Sequence, residues 1–548
     1  MPLVIEPDVT RVDWDTIVIG TGMGGATLGH ALARRGQRVL FCERGANHLA
    51  DSGSLKGEYP ELHAGHRGAV LDARSATLLA SAGRDSVSIL DESGQRPLRF
   101  SPYLGSGTGG SSALYGMALE RFAPSDFAPR ANHPEATDAT LVETWPIGFE
   151  TLCDHYAAAE ALYRVRGTAD PLNRTAQPPQ YAAIPPPLTP AAAELFAFLQ
   201  AGGLHPYRLP MACEYVPGCR SCQGYLCDRD CKNDSASICL APSLRDHGAT
   251  LLDHCEVLRI DADRTRATGV ACRWRGAEIT LRGKRIVLAA GALQSPNLLL
   301  RSRSAHWPNG LANRSGWVGR NLMRHCIDLY LVAPPRGAGT GPPDNRPKEF
   351  AFNDFYRSDD MKLGSVQSFG RLPPGAMLFG SLVQDVRDGA LPWAAGPLAL
   401  ARPLLQPVLQ RLVDRSLTLA TTMEDLPYAD NRVLPADAGP PGDIRISYRL
   451  RGHDRARIER FRSLMRDTLK TRRWRLIEQA ENNQRLAHVC GTCRFGTDPQ
   501  TSVLDPYNRC HELDNLYVVD SSFFPSSGGT NPSLTIAANA LRVAGYLA

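Results

Sequence analysis

The sequence predicts an α/β fold in which a Rossmann-like, dinucleotide-binding unit is interlocked with a second domain. Three observations support this prediction. Residues 15–43 contain the order strand, glycine-rich turn, helix and strand. Residues 250–288 contain three runs of strand-forming residues. The chain has 548 residues, which is long for one hydrophobic core, so two domains are expected.

The first strand is expected at residues 17–19, where Ile, Val and Ile follow one another. The turn GTGMGG occupies residues 20–25, and residues 26–35 have helical spacing and good helix formers. A second strand is expected at residues 38–41. This order of elements makes the glycine motif specific, because GxGxxG alone is a weak signal.

The glycines of this turn have distinct expected roles. Gly20 permits the tight turn, and Gly22 lets a pyrophosphate approach the backbone amides at the helix N-terminus. Gly25 lets the helix lie close to the strand. Glu43 follows at a distance where a carboxylate can accept the hydroxyls of an adenosine ribose. The stretch therefore predicts a dinucleotide site and leaves both NAD and FAD open.

The charge pattern argues against nucleic-acid binding. The chain has 61 Lys and Arg residues and 56 Asp and Glu residues, a formal net charge of +5. It contains no basic run interleaved with aromatic residues. The first fifteen residues lack a basic segment followed by an apolar one, so no signal peptide is expected and the predicted location is cytoplasmic.

The longest apolar stretch, residues 391–412, is not expected to span a membrane. It is interrupted by four prolines and two arginines. We expect a loop or helix that covers a pocket, with a membrane contact as the alternative.

A second glycine-rich segment, GSGTGGSS, occupies residues 105–112. Such a backbone can pass against a flat ring or a pyrophosphate without a Cβ atom in the way, although a flexible linker would have the same composition. Residues 121–210 are rich in Ala, Pro and aromatics, with an amphipathic helix expected near residues 149–163. We expect this stretch to enter the second domain.

Strands are expected at residues 250–260, 267–275 and 278–288, followed by a helix at residues 297–301. The last strand leads into Ala289-Ala290-Gly291, where small residues again allow a nucleotide to approach closely. Three such segments, far apart in the sequence, are expected to converge on one large cofactor. This favours FAD over a nicotinamide cofactor.

The C-terminal region predicts a strand at residues 516–522 and a helix that begins at Pro532, with Asn531 as its capping residue. Six segments together resemble the glucose-methanol-choline (GMC) family of FAD-dependent oxidoreductases over nearly the full chain, least within residues 327–484. The segments are GTGMGG at residue 20, GSGTGGSSALYG at 105, GALQSPNLLLRS at 291, VGRNLMRH at 318, HVCGTCRFG at 488 and VVDSSFFPSSGGTNPSLTIAANALR at 518.

The resemblance implies a Rossmann-like FAD-binding domain interlaced with an α+β substrate domain built on an antiparallel sheet. The implied FAD-binding domain comprises residues 1–125, 211–326 with a cysteine-rich insertion at 213–239, and 485–548 with the catalytic histidine; the substrate domain comprises residues 126–210 and 327–484.

The resemblance also implies the catalytic residues. His488 of the HxxGT motif matches the family's proton acceptor, and Asn531 matches its partner before the last helix. Asp520 matches a residue near the flavin ribityl chain. An alcohol that gives up hydride must also lose its hydroxyl proton, which a neutral imidazole can accept. Asn531 can donate a hydrogen bond to the same oxygen, where the positive end of the following helix stabilises negative charge.

The glycine motifs and the resemblance together identify the candidate FAD contacts. These are Gly20, Gly22, Met23, Gly24, Gly25, Glu43, Arg44, Gly109, Gly110, Ser111, Tyr115, Val257, Ala290, Gly291, Asp520 and Pro532. Some family members attach the flavin covalently to a histidine shortly after the second glycine segment. Residues 111–115 contain no histidine, so a non-covalent, dissociable FAD is expected.

Four cysteines, Cys219, Cys222, Cys227 and Cys231, are closely spaced. The last three match an insertion in the catalytic subunit of bacterial FAD glucose dehydrogenase, where three cysteines hold an iron–sulfur cluster. Three alternatives stay open: an iron–sulfur centre that passes electrons onward, a structural zinc site, and a packed or disulfide-linked loop.

The sequence thus predicts an FAD-dependent dehydrogenase or oxidase that acts on the CH–OH group of a sugar, glycoside, polyol or other alcohol. The expected partners are this small-molecule alcohol and an electron acceptor or redox partner. One alternative is a flavin-dependent isomerase or lyase on the same scaffold. Another is a non-catalytic FAD-binding subunit, against which intact His488 and Asn531 argue.

Overall fold

The computed structural model describes residues 9–63, 72–173, 175, 177–181, 183–335, 348–358, 361–370, 372–389, 391–486 and 488–547. The strands are β1 (Asp13–Ile19), β2 (Val39–Cys42), β3 (Ile89–Asp91), β4 (Leu98–Phe100), β5 (Tyr207–Arg208), β6 (Thr250–Leu252), β7 (Cys255–Ala262), β8 (Ala267–Trp274), β9 (Ala277–Leu288), β10 (Cys326–Val332), β11 (Phe350–Phe352), β12 (Arg357–Ser358), β13 (Met361–Lys362), β14 (Gly364–Ser368), β15 (Leu417–Met423), β16 (Arg432–Pro435), β17 (Ile444–Ser447), β18 (Trp474–Ile477) and β19 (Leu516–Val518).

Twelve α-helices occur among these strands in the described part of the chain. They are α1 (Met23–Ala33), α2 (Ala73–Ser81), α3 (Pro129–Asn132), α4 (Phe149–Leu162), α5 (Pro190–Ala201), α6 (Ala241–Asp246), α7 (Gly291–Arg301), α8 (Gly375–Asp388), α9 (Ala395–Leu400), α10 (Arg402–Asp414), α11 (Gly452–Leu469) and α12 (Ser533–Tyr546).

One sheet forms the Rossmann-like core. Its strand order is β6-β2-β1-β9-β8-β7, and β19 also pairs with β9. The pairs β1–β2, β1–β9, β2–β6 and β9–β19 are parallel. Helix α1 joins β1 to β2 directly after the glycine turn and is buried along most of its length. The predicted order of strand, turn, helix and strand is confirmed, with the helix beginning three residues earlier than expected.

Strand β9 has twelve residues and belongs to both the parallel and the antiparallel part of this sheet. Its first residues pair antiparallel with β8, and its later residues pair parallel with β1. The single strand predicted at residues 250–260 is wrong, because two strands form there. His254, with a φ of 48°, lies in the bend between them. The bend lets β6 pair with β2 while β7 pairs with β8.

A second sheet has the order β18-β10-β15-β14-β11-β5, and all its strand pairs are antiparallel. Helices α5 and α11 contribute to the same buried apolar cluster as this sheet. Its strands occur on both sides of β6–β9 in the sequence, so the chain passes from one sheet to the other and back. The predicted fold class, with a Rossmann-like part interlaced with an antiparallel one, is confirmed.

Helices α9 and α10 form within the apolar stretch predicted to cover a pocket. Proline is tolerated near the beginning of α10, where Pro403 lies, because no intrahelical donor is lost there. Leu409, Leu412 and Val413 of α10 line the large cavity of the molecule. The expectation of a helix over a pocket is therefore confirmed. Within the described part of the chain, none of the helices combines the length and the apolar composition needed to cross a bilayer.

Candidate active site

A cavity of about 930 Å³ is lined by residues of both main sheets. One part lies at the carboxyl ends of β1 and β9, where open α/β sheets bind their ligands. Another part faces β10, β14 and β15 of the antiparallel sheet. His488, Asn531 and fourteen of the sixteen predicted cofactor contacts line this cavity; the other two, Gly25 and Gly109, lie behind its wall.

The three small-residue segments converge at this cavity. Gly20 has a φ of +99°, and a Cβ atom there would lie 2.5 Å from the carbonyl oxygen of Ala289. Glycine is therefore required for the first and third segments to approach each other. A Cβ atom on Gly110 would lie 3.3 Å from the Cα atom of Gly22, so the second segment also contacts the first.

In contrast to Gly20, Gly22 has open space where a side chain would lie. A Cβ atom built on Gly22 has no neighbouring protein atom within 4 Å. Gly22 is also the N-cap residue of α1, so the first amides of this helix face the cavity. Free amides and the positive end of a helix bind phosphate groups. A large cavity that joins this helix end to three small-residue segments fits FAD.

The Glu43 carboxylate links the first two glycine segments. Its Oε2 atom accepts hydrogen bonds from the Thr21 amide at 3.2 Å and the Thr21 hydroxyl at 2.7 Å. Its Oε1 atom accepts from the amides of Gly45 at 3.0 Å and Gly107 at 3.1 Å. Four donors match the number of lone-pair positions of a carboxylate. The predicted contact with a ribose therefore requires Glu43 to share or exchange one of these bonds.

Asp520 connects the end of β19 to the third segment. One of its oxygens accepts from the Gly291 amide at 2.9 Å and from the Ser295 hydroxyl. Arg44, another predicted cofactor contact, forms an ion pair with Asp85 at the cavity wall. Both contacts hold loops around the cavity in fixed positions.

His488 lies at the cavity in a left-handed backbone conformation with a φ of 57°, which is uncommon for a residue other than glycine. Its Nδ1 atom lies 2.8 Å from Nδ1 of His325. Nε2 of His325 lies 2.9 Å from the carbonyl oxygen of Gly528 and 3.1 Å from that of Ser527.

These contacts determine the tautomers of both histidines. Carbonyl oxygens only accept hydrogen bonds, so Nε2 of His325 carries a proton. Nδ1 of neutral His325 therefore accepts the bond from Nδ1–H of His488. This arrangement leaves Nε2 of His488 unprotonated, as a general base requires.

Burial lowers the pKa of His488 well below 6.5, and the neighbouring His325 and Lys348, whenever they carry a positive charge, lower it further. Burial also lowers the pKa of His325 to about 4. Both imidazoles are therefore neutral at neutral pH. Lys348 lines the same cavity, and burial lowers the pKa of its amine to about 8 although nearby Glu120 opposes this shift.

Asn531 lines the cavity but does not cap α12. The helix begins at Ser533 with Pro532 as its N-cap residue, so the predicted capping role is wrong. The amide oxygen of Asn531 instead accepts a hydrogen bond from Nε2 of Gln367 at 2.6 Å. Gln367 also donates to buried Glu120 at 2.7 Å. This network leaves the amide nitrogen of Asn531 as a hydrogen-bond donor.

Four residues of this site escaped the sequence analysis: Glu120, His325, Lys348 and Gln367. His325 belongs to the segment VGRNLMRH, so a signal for it was present. Lys348 and Gln367 lie in the region that least resembles the family, and Glu120 lies in no recognised motif.

The cysteine-rich segment lies beside the second glycine segment, where the Gly224 amide donates to the carbonyl oxygen of Leu114 at 2.7 Å. The Sγ atoms of Cys219 and Cys231 are 3.0 Å apart, and those of Cys227 and Cys231 are 3.5 Å apart. Three of the four predicted ligands are therefore close together.

Cys213, outside the predicted ligand set, also belongs to this group. Its Sγ atom lies 3.8 Å from that of Cys219, and the sulfurs of Cys213, Cys219 and Cys231 lie within 4.8 Å of one another. Cys222 belongs to a neighbouring group with Cys227. All fourteen cysteines, each within the described ranges, are free thiols.

Comparison with known proteins identifies close sequence relatives. The family model of GMC oxidoreductases matches residues 197–327 and 427–540. Paromamine 6'-oxidase of Streptomyces fradiae is 31% identical, over 97% of this chain and 90% of its own length. 6'''-Hydroxyparomomycin C oxidase of Streptomyces lividus is 30% identical, over 99% of this chain and 93% of its own length.

A solved structure has the same fold. The crystal structure of pyridoxine 4-oxidase from Mesorbium loti superposes with a TM-score of 0.63 and 20% sequence identity. The superposition covers 97% of this chain and 99% of the other.

Proposed function

This chain belongs to the GMC oxidoreductase family, and we propose that it oxidises an alcohol with His488 as the base that accepts the hydroxyl proton. It is an FAD-dependent dehydrogenase or oxidase acting on CH–OH donors. In the proposed reaction a CH–OH group loses one proton and one hydride and becomes a carbonyl group. FAD, when bound, supplies the two-electron hydride acceptor.

The observation that carries this proposal is the Nδ1–Nδ1 contact of 2.8 Å between His488 and His325. It supports a neutral His488 whose Nε2 atom is free to accept a proton. Because the bond to His325 also restrains the ring, the base is oriented before the substrate arrives.

Asn531 and α12 are proposed to stabilise the substrate oxygen as it loses its proton. The amide nitrogen of Asn531 is the available donor, because its oxygen is engaged by Gln367. The first residues of α12 line the cavity, so the positive end of this helix favours negative charge there.

The test is anaerobic reduction of the bound flavin, followed near 450 nm across a panel of sugars, polyols and other alcohols. His488→Ala should keep its FAD but reduce flavin about a hundred- to ten-thousandfold more slowly, the usual contribution of a positioned base. His511→Ala, which alters a histidine outside the cavity lining, is the control and should reduce flavin at the wild-type rate. A normal rate in His488→Ala would assign the base to another residue.

The same panel separates the alternatives. Turnover of a substrate without any electron acceptor and without lasting bleaching would indicate an isomerase or lyase. A stable yellow protein that no alcohol bleaches would indicate a non-catalytic FAD-binding subunit.

The cysteine-rich segment supports a separate proposal, a zinc site that includes Cys213. Four thiolates around one zinc ion lie about 3.8 Å apart, given Zn–S bonds of about 2.3 Å in a tetrahedron. The Cys213 and Cys219 sulfurs have this separation, whereas the Cys219–Cys231 and Cys227–Cys231 sulfurs are closer, at 3.0 Å and 3.5 Å. An iron–sulfur cluster binds its thiolates on separate iron atoms, so the compact group of Cys213, Cys219 and Cys231 favours a single metal ion.

Metal analysis of anaerobically purified protein tests this proposal. We expect about one zinc per chain, lost in Cys213→Ser and kept in Cys153→Ser, a buried cysteine elsewhere. Iron with acid-labile sulfide would support a cluster and an onward redox partner instead. Absence of both metals would make the segment a packed loop.

A further inference from the structure

The cavity has an apolar arm, which we define as the part between the antiparallel sheet and helices α8 and α10. Ile327, Leu329 and Leu331 are alternate residues of β10, so their side chains point to the same face of the sheet and line the cavity. Leu378 of α8 and Leu412 of α10 line the facing wall.

These residues form one contiguous apolar surface. Leu331 is buried in a cluster with Leu372 and Val413, and Leu329 and Leu412 pack against that cluster while remaining half-buried at the cavity. The antiparallel sheet thereby brings the arm to the same cavity as the two candidate catalytic residues.

Polar partners for a substrate are sparse in this arm. Thr422 of the neighbouring strand β15, which pairs with Ile327, is one polar residue of the lining. Gln367 of β14 already donates to Glu120 and Asn531. Ser381 and Asp385 of α8 are the polar residues of the helical wall. A polyhydroxylated ring placed in the arm would leave hydroxyl groups against leucine side chains, which is unfavourable because buried hydroxyls need hydrogen-bond partners.

The helices of this wall are also apolar on the outside. Seven of the fourteen exposed large hydrophobic residues in the described part of the chain lie within residues 382–408. Trp393 is 73% exposed and Leu400 is 84% exposed. Such a concentration is unusual for a surface that meets only water. A ligand that enters beside these helices passes an apolar rim.

We propose that the alcohol oxidised by this enzyme carries an extended apolar body, an aliphatic chain or hydrocarbon ring system, that lies in the apolar arm. Its hydroxyl group then meets His488 and Asn531. This inference rests on the proposed function and narrows its substrate class, away from sugars and polyols. The reaction balance is unchanged: one proton goes to the base and one hydride to FAD.

Straight-chain primary alcohols from ethanol to 1-octanol, with glucose and sorbitol for comparison, provide the test. The rate constant for anaerobic flavin reduction at low substrate concentration should rise about threefold to fourfold with each added methylene group, the value expected for burying it. Glucose and sorbitol should react slowly. The rise should level off once the arm is filled.

Two matched variants localise the effect. Leu412→Gln places an amide in the arm and should flatten the dependence of the rate on chain length. Leu49→Gln makes the same change at an exposed leucine outside the cavity lining and should keep the wild-type dependence. Binding of 1-methoxyoctane, which has no hydroxyl proton, should show a negative heat-capacity change in calorimetry of the holoenzyme.

The outcomes separate the two proposals. Rapid reduction by sugars with no gain along the alcohol series would uphold the proposed function and overturn the apolar substrate. If no alcohol reduces the flavin, the proposed function fails. In that case the calorimetry tests whether the apolar arm binds an apolar ligand. Binding of 1-methoxyoctane that is weakened by Leu412→Gln would support such a ligand, and no binding would overturn it.

Discussion

At the scale of single residues, His325 decides which nitrogen of His488 can act as a base. Its Nε2–H donates to two backbone carbonyls, so the ring cannot turn without losing both bonds. His325 does not line the cavity and acts through His488, which makes it a positioning residue.

We expect His325→Ala to slow flavin reduction about ten- to a hundredfold with FAD content unchanged, because His488 then adopts both tautomers and more than one orientation. His325→Gln should restore most of the rate, since its amide oxygen can accept the bond from His488. Stopped-flow reduction at saturating substrate measures both. His30→Ala, which removes a buried histidine of α1, is the control; equal losses in His325→Gln and His325→Ala would point to a packing role.

A second prediction at this scale concerns pH. Because burial lowers the pKa of His488 well below 6.5, the neutral imidazole predominates at neutral pH, and the rate of flavin reduction should stay constant from about pH 8 down to about pH 6. The rate should fall only in more acidic solution, where the imidazole gains a proton.

A Lys348 variant tests what lowers the pKa of His488. Its positive charge lowers the pKa of His488, so Lys348→Met should raise that pKa and move the acidic limb of the profile to higher pH. An unchanged limb at saturating substrate would show that burial and His325, without Lys348, set the pKa of His488.

The sequence predicted His488 and Asn531 as catalytic candidates because motif and reaction chemistry pointed to the same residues, and both line the cavity. It could not identify their hydrogen-bond partners. His325 precedes His488 by 163 positions, and Gln367 precedes Asn531 by 164. Residues this far apart in the sequence come into contact only through folding, so local sequence patterns do not predict such pairs.

At the scale of elements, the glycine turn before α1 combines two opposite requirements. At Gly20 the protein itself fills the space of a side chain, whereas at Gly22 no protein atom lies within 4 Å of a Cβ atom, which leaves room for the predicted pyrophosphate. The order of strand, turn and helix was sufficient to predict this turn, because each part has a local signal.

We expect Gly22→Val to fold normally but to lose FAD. No protein atom lies within 4 Å of the new Cβ atom, so packing is preserved, while the side chain projects into the pyrophosphate site. The ratio of absorbance at 450 nm to that at 280 nm measures FAD content, and circular dichroism measures folding. Gly452→Val, also without neighbours within 4 Å, should stay yellow. If Gly22→Val bound as much FAD as the wild type, the pyrophosphate would not bind at the predicted position.

Other element boundaries were less predictable. The bend at His254 has no local sequence signal, because it arises from pairing with two different strands. β6 pairs with β2 before the bend, whereas β7 pairs with β8 after it. Asn531 has the residue type of a helix cap, but its competing bond to Gln367 comes from a distant strand. Tertiary contacts outweighed local preference in both cases.

At the scale of the whole molecule, the cavity joins the two main sheets. Its lining includes the carboxyl ends of β1 and β9 and the face of β10, so a ligand there contacts both parts of the fold. The family resemblance predicted this interlaced arrangement, whereas composition alone gave only the expectation of two domains. The exact chain boundaries of the two domains stay a prediction.

We expect FAD to stabilise the entire chain as one unit. Protein stripped of FAD should unfold at a lower temperature, and a hundredfold excess of FAD over its dissociation constant should restore about 3 kcal/mol of unfolding free energy. Differential scanning fluorimetry across FAD concentrations measures this dependence. Separate transitions, of which only one responds to FAD, would contradict coupling between the two sheets.

The pairing of β19 with β9 has a consequence for biosynthesis. β19 comes from residues 516–518, and α12, which packs on α1, follows it. A ribosome has therefore released more than 500 residues of this chain before the central sheet gains β19. Until then, the apolar surfaces of β9 and α1 lack their final partners. We expect this sheet to be completed only after β19 and α12 have left the ribosome, with chaperones shielding the nascent chain meanwhile.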